Sequence, residues 1–324
     1  MNTLHAFARS LLPRDNRQWR LAVGLGFAAA MAAVGASGCA AAAGKSQEDF
    51  ATAEQAADAL VAAERRDDQR ELLRILGPGS DKLIHSGDPV ADRKSRQRLI
   101  DAYDRAHRIE ADGTNAAALV VGPEDWSLPL PIIRRGERWH FDTAAGEQKI
   151  IDRRVGRNEL NVIEVCRAYV AAQREYASKD RLGDGLHEFA TKIASSPGQH
   201  DGLYWPAAAD EEQSPFGPLV ASARAEGYTS SDHHVPVPYH GYYFRIITRQ
   251  GPHAPGGAKD YLVAGHMTGG FALLASPAKW GDSGIMTFVV NQHGIVFQKN
   301  LGPDTARLAR DIQEFDPDLS WRTP

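Results

Sequence analysis

The stretch Asp152-RRVGRNELNVIEVCRAYVAAQREYA-Ser178 decides how the chain is divided and what architecture follows. From Glu159 to Ser178, Ile163, Cys166, Tyr169 or Val170, and Tyr176 recur at helical spacing, and Asn158 stands where a capping side chain would take an orphan amide. Cys166 falls on that apolar stripe and reads as a packed small hydrophobe. The preceding Asp152-RRVGR-Asn158 is polar and charged, which reads as the boundary between two domains.

Upstream of the boundary, over residues 47–151, helices come first and strands second. Thr52 to Gln55 has the form of a capping box, and Ala56, Ala59, Leu60 and Ala63 then line one helical face. A second helix spans 69–76 and stops at Gly77-Pro78-Gly79, and a third spans 92–106. Short apolar runs at 116–121, 128–133 and 139–141 predict antiparallel strands. Downstream, over 158–305, the long helix leads through a Gly/Ser/Pro-rich loop and a short helix near 216–226 into strands at 242–249, 260–264, 270–275, 284–290 and 295–299. Residues 306–324 read as a C-terminal tail. The expected class is α+β, with helices packed on an antiparallel sheet in each of two domains.

The first 39 residues have the order of an export signal: Arg14, Arg17 and Arg20, then the apolar run Leu21 to Gly38, then Ala36-Ser37-Gly38-Cys39. That last tetrapeptide resembles a bacterial lipobox, with Ala36 where such boxes usually carry Leu, and the resemblance implies acylation of Cys39. Ala40 to Ala43 offer an ordinary signal-peptidase site as the alternative, and the apolar run is near the lower length limit for a retained anchor. Apart from Cys39 the chain has only Cys166, so a disulfide framework or a four-cysteine zinc site is excluded. A formal net charge of -4 gives no electrostatic argument for nucleic acid.

The helices-then-hairpins order of 47–151, with Gly136-Glu-Arg-Trp139, resembles the nuclear transport factor 2-like fold. The helix IEVCRAYVAAQREYA followed by a meander from Gly241-Tyr-Tyr-Phe244 to Asn291-Gln-His-Gly294 resembles the globular part of type IV pilins and pseudopilins. Here a whole domain separates the N-terminus from that helix, so pilin-type polymerisation does not carry over. A closer resemblance rests on Ser86-Gly-Asp-Pro-Val-Ala-Asp92, Trp139-His-Phe-Asp-Thr-Ala-Ala-Gly146, Gly241-Tyr-Tyr-Phe-Arg245, the loop from Gln250 to Ala258, and Val290-Asn-Gln-His-Gly294 through Thr305. On these residues the chain resembles bacterial exported proteins of domain of unknown function family 2950, which implies export and this architecture but no activity.

Several stretches invite a chemical reading. Gly281-Asp282-Ser283-Gly284 has the letters around a trypsin-type nucleophile, but it precedes an apolar strand without a matching histidine base motif, so Ser283 reads as part of a turn. His233, His234 and His240 offer imidazoles for a metal, yet Pro236 and Pro238 and the lack of a recognised carboxylate spacing favour a surface loop. Gln250-GPHAPGG-Ala258 runs into a strand rather than a helix, which fits a hairpin loop better than a phosphate cradle. Tyr103, Trp126 and Trp139 are candidates to line a small-ligand pocket, with plain core packing as the alternative. Asp88, Asp92, Asp101 and Asp104, interleaved with arginines, read as a solvated helix face.

The sequence thus favours a periplasmic, membrane-attached lipoprotein that serves as a non-enzymatic binding or assembly adaptor for another envelope protein. No cofactor is expected. The alternative is a periplasmic hydrolase or small-ligand-binding protein using a pocket in the N-terminal half.

Overall fold

The computed structural model describes residues 47–228 and 237–324, and one helix of 34 residues, Thr143–Tyr176, runs straight through the expected domain boundary. At about 1.5 Å per residue it is about 50 Å long. The capping role expected of Asn158 belongs to Asp142, which accepts from the Ala145 amide at 3.1 Å. Asn158 is instead buried in mid-helix, where its Nδ2 donates to the Ser283 carbonyl at 2.9 Å. The charged segment stays helical because Val155 and Asn158 continue the buried stripe of Val162, Val165 and Tyr169 toward the N-terminus. Its arginines leave the stripe intact, Arg154 donating to the carbonyls of Lys82 and Leu83.

Ahead of this helix come α1 (Ala53–Arg66), α2 (Gln69–Leu76), α3 (Asp81–Ile84) and α4 (Pro89–Arg105). They are followed by β1 (His107–Asp112), β2 (Ala116–Val121), β3 (Trp126–Ser127), β4 (Ile132–Arg135) and β5 (Arg138–Phe141), and the long helix is α5. The capping box at α1 forms: Thr52 Oγ1 accepts from the Gln55 amide, and Gln55 reaches back to the Ala51 amide. Helix α4 starts at Pro89, earlier than its sequence pattern suggests, because Asp88 caps it and a proline at the first position leaves no amide unpaired.

The first sheet is antiparallel in the order β1-β2-β4-β5, with β3 paired to β2. Leu128 to Pro131 stays outside the strands, since Pro129 and Pro131 have no amide to give to a ladder. The first turn of α5 lies directly on this segment, and a Cβ at Gly146 would stand 1.9 Å from the Pro129 carbonyl oxygen. Strand β1 has mostly exposed, charged side chains and so lacks the apolar run that marks the other strands.

Beyond α5 lie α6 (Gly217–Ala225) and β6 (Tyr242–Ile247), then the short strands β7 (Arg249–Gln250), β8 (Lys259–Asp260), β9 (Leu262–Val263) and β10 (His266–Met267). The chain ends with β11 (Ala272–Pro277), β12 (Met286–Asn291), β13 (Val296–Asn300) and α7 (Thr305–Asp311). The second sheet is an antiparallel meander ordered β13-β12-β11-β6, and the pairs β7–β8 and β9–β10 are side hairpins inserted between β6 and β11. Residues 306–324 are not a loose tail. They hold most of α7, the buried Phe315, and Arg322, whose backbone exchanges two hydrogen bonds with Gln298 at 2.7 and 3.1 Å.

The class is α+β, helices on antiparallel sheets. Two hydrophobic cores form, one between α1, α2 and the first sheet around Leu60, Ile75, Leu119 and Phe141. The other lies between α5 and the second sheet around Cys166, Tyr169, Phe271, Phe288 and Phe315. Both cores belong to one compact unit, which α5 traverses. Among the described residues no helix is long and apolar enough to cross a membrane.

Candidate functional site

Gly281 to Ser283 is a turn. The Ser283 side chain is 0% exposed, and its hydroxyl accepts from the Lys279 amide at 2.9 Å and donates to the Lys279 carbonyl at 3.1 Å. Asp282 pairs with Lys279 Nζ at 2.6 Å. Gly281 takes φ +82°, the left-handed region that glycine adopts freely. Buried and bonded within its own turn, the Ser283 hydroxyl is not presented to a substrate.

The three aromatic candidates are not brought together. Tyr103 is buried, stacked on His107 and hydrogen-bonded to Asp58. Trp139 packs on the first core, while Trp126 on β3 is 38% exposed. A shallow hollow of about 230 Å³ in this half is lined instead by Gln47, Leu76, His140 and Thr143 among others.

Of the histidine candidates, His233 and His234 lie outside the described residues. His240 is packed against Tyr228 and Tyr239, and burial pushes its imidazole below its ordinary range. Among the described residues its nearest carboxylate is Glu226 at 3.9 Å. The acidic face expected on α4 divides. Asp101 and Asp104 are exposed, but Asp88 is 0% exposed and Asp92 is half-buried, accepting from the Ser86 amide at 3.0 Å.

Asp88 is the joint between the halves. One oxygen accepts from the amides of Val90 and Ala91 at 3.1 and 3.0 Å. The other accepts from the Tyr228 hydroxyl and the Gly241 amide, both at 2.8 Å. The stretches Ser86–Asp92 and Gly241–Arg245, distant in sequence, therefore meet on one carboxylate. The Gln250–Ala258 loop is a hairpin loop closed by β7 and β8, filled from within by the Gln250 amide donating to the carbonyls of Pro255 and Gly257. Its His253 pairs with Asp316 at 2.7 Å, which raises the imidazole above its ordinary value through that hydrogen bond and charge.

One cluster was not foreseen from sequence. After α5 the chain turns through Asp180-RLGDGLH-Glu188, where the Asp180 carboxylate accepts from the amides of Gly183, Asp184 and Gly185. Gly183 and Gly185 take φ +74° and +84°. This loop meets the β9–β10 hairpin, the Phe189 amide donating to the Met267 carbonyl at 2.9 Å. His266 Nδ1 thereby stands 3.3 Å from Glu188 Oε2 and 3.5 Å from Asp184 Oδ2. The spacing Asp184-x-x-x-Glu188, with Asp184 between two glycines, was the available signal, but its third member sits far along the chain in a two-residue strand.

No curated protein and no solved structure matches the chain. A protein-family model described as protein of unknown function (DUF2950) matches residues 47–323, spanning both cores, the Asp88 joint and the Asp184–Glu188–His266 cluster. The chain therefore belongs to the DUF2950 family.

Proposed function

We propose that this is an exported cell-envelope protein, attached to the membrane through acylated Cys39, that acts by binding another envelope component. What carries the reading is the N-terminal order of Arg14, Arg17 and Arg20, the apolar run Leu21 to Gly38, and Cys39 directly after it. Acylation of this cysteine with more than one chain makes attachment stable, because each buried methylene contributes about 0.8 kcal/mol. Intact-mass measurement on protein from the membrane fraction tests the anchor. A chain beginning at Cys39 with added acyl mass, absent in Cys39→Ala, is the expected result, and an unmodified chain cut among Ala40 to Ala43 overturns it.

The binding role is supported by apolar side chains left in solvent on two adjoining segments: Leu182 and Leu186 on the loop after α5, Leu262 and Val263 on β9. A photo-crosslinking residue at Val263, in cells, is expected to give a discrete adduct that the same residue at the exposed Leu73 on α2 does not give. Identical patterns at both positions would sink this assignment.

A second reading, small-ligand binding or hydrolysis in the N-terminal half, has the hollow lined by Gln47, His140 and Thr143 in its favour. Its volume of about 230 Å³ falls below the ~300–1,000 Å³ usual for small-molecule sites, so this reading ranks second.

A further inference from the structure

We propose that Asp184, Glu188 and His266 form a binding site for a divalent cation of the Zn²⁺ class. One ligand atom from each residue lies within 4.8 Å of the others. Neither contact from His266 Nδ1, at 3.3 and 3.5 Å, has the length of a charge-assisted hydrogen bond, which is about 2.7–2.9 Å. Both match the edge of a tetrahedron. Zinc–nitrogen and zinc–oxygen bonds of about 2.0–2.2 Å place neighbouring ligands about 3.3–3.6 Å apart.

An independent observation comes from Glu188. Its side chain is only 9% exposed, and Oε1 is buried with no hydrogen-bond partner. The other oxygen accepts from the Met267 amide at 3.1 Å, which fixes the carboxylate against β10. A buried carboxylate oxygen without a donor is costly, and because the two oxygens share one charge, a cation held at Oε2 neutralises the group and lowers the cost of leaving Oε1 without a partner. Among the described residues no lysine or arginine is ion-paired with Asp184 or Glu188, so two carboxylates face one imidazole. A doubly charged ion balances them.

The ligands are also held in place. Asp180 ties down the backbone on either side of Asp184, and Asp184 Oδ1 accepts from the Leu186 amide at 2.9 Å, leaving Oδ2 for the site. Mixed imidazole and carboxylate donors suit zinc and its first-row neighbours better than calcium or magnesium, which favour oxygen alone. Asp184 and His266 are partly open to solvent, so water completes the coordination. The ion would clamp the loop after α5 to the β9–β10 hairpin. The site does not depend on where the chain resides.

The test is calorimetric titration of the purified, chelator-stripped full chain with ZnCl₂, paired with thermal melts. The expected result is one saturable ion per chain and a rise in melting temperature. Loss of groups that merely support a ligand weakens metal sites about 10–100-fold, so Asp184→Asn, Glu188→Gln and His266→Ala should each cost at least about tenfold in affinity. Asp184 is solvent-accessible, so its variant reports on binding even if Glu188→Gln folds poorly. His187→Ala, and replacement of both His233 and His234 by Asn, should leave binding unchanged. Absence of saturable binding, or wild-type affinity in the three ligand variants, overturns the site. Binding of Ca²⁺ that survives His266→Ala overturns the imidazole ligand and with it the metal class.

Discussion

Asp88 and Glu188 are both buried carboxylates, and the protein treats them in opposite ways. Asp88 sits where α4 begins, and four donors converge on its two oxygens: two amides of its own helix, the Tyr228 hydroxyl and the Gly241 amide. Glu188 receives one amide on one oxygen and nothing on the other. A carboxylate offers about four lone-pair sites, so the first is filled and the second has spare capacity. The filled one is a structural rivet between the first core and the second sheet. The underfilled one, beside a second carboxylate and an imidazole, retains the capacity to bind something else.

The same chemical change at the two positions is the strongest way to break this comparison. Asp88→Asn leaves one acceptor oxygen for four donors, stranding two of them at about 1–3 kcal/mol each, so a loss of about 2–6 kcal/mol is expected in urea unfolding. A loss below 1 kcal/mol would show that the joint is not what holds the halves.

Glu64 in α1 sharpens the comparison as an intermediate case. Its Oε2 is buried without a hydrogen bond, Arg96 Nε lies 3.9 Å away, and burial raises the carboxyl from 4.5 to about 7 against the pull of Arg96. With the folded value raised, this group costs nothing below pH 4.5, and stability falls as pH rises from there to about 7. Glu64→Gln is therefore expected to stabilise the chain above pH 7 by on the order of 1–3 kcal/mol and to change little at acid pH. A pH-independent effect in parallel denaturation curves would remove the ionisation argument.

Glu188→Gln in the metal-free chain should shift stability by less than about 1 kcal/mol, since the amide oxygen still accepts from Met267 and one uncompensated charge is gone. A destabilisation as large as that of Asp88→Asn would make Glu188 another rivet. The smallest effect belongs to the exposed His253–Asp316 pair. The His253 imidazole is raised by its partner, so its contribution is present below its ordinary value of 6.5 and disappears as pH climbs through the higher folded value. Asp316→Asn should flatten the decline in melting temperature over that range, and an unchanged slope would show that the pair contributes nothing.

Much of the secondary structure was legible because it depends on neighbours in sequence. Thr52 and Gln55 start α1 as the capping box requires, and Gly294, at φ +80°, turns the β12–β13 hairpin in the left-handed region that a residue without a Cβ takes freely. The helix through Asp152 to Asn158 escapes the sequence pattern for an equally local reason. In those two turns only Val155 and Asn158 face inward, too few to register as an apolar stripe, and whether Asn158 caps or packs is decided by Ser283 far along the chain. The site was less legible still. Ser283 and the histidines around His240 carry the residue types of chemistry, yet Ser283 is closed by its own turn and His240 is held between tyrosines.

The sequence by itself determined the α+β class, most helices and strands, and membership of a family of unknown function. These follow from periodicity, capping residues and turn chemistry, which act over a few residues. Only the tertiary structure decided that one helix crosses both halves, that residues 306–324 complete the second core, and that Asp184 and Glu188 face His266. Those outcomes depend on which distant groups can satisfy a buried polar atom, and a carboxylate's partners are chosen by the packing of the whole chain.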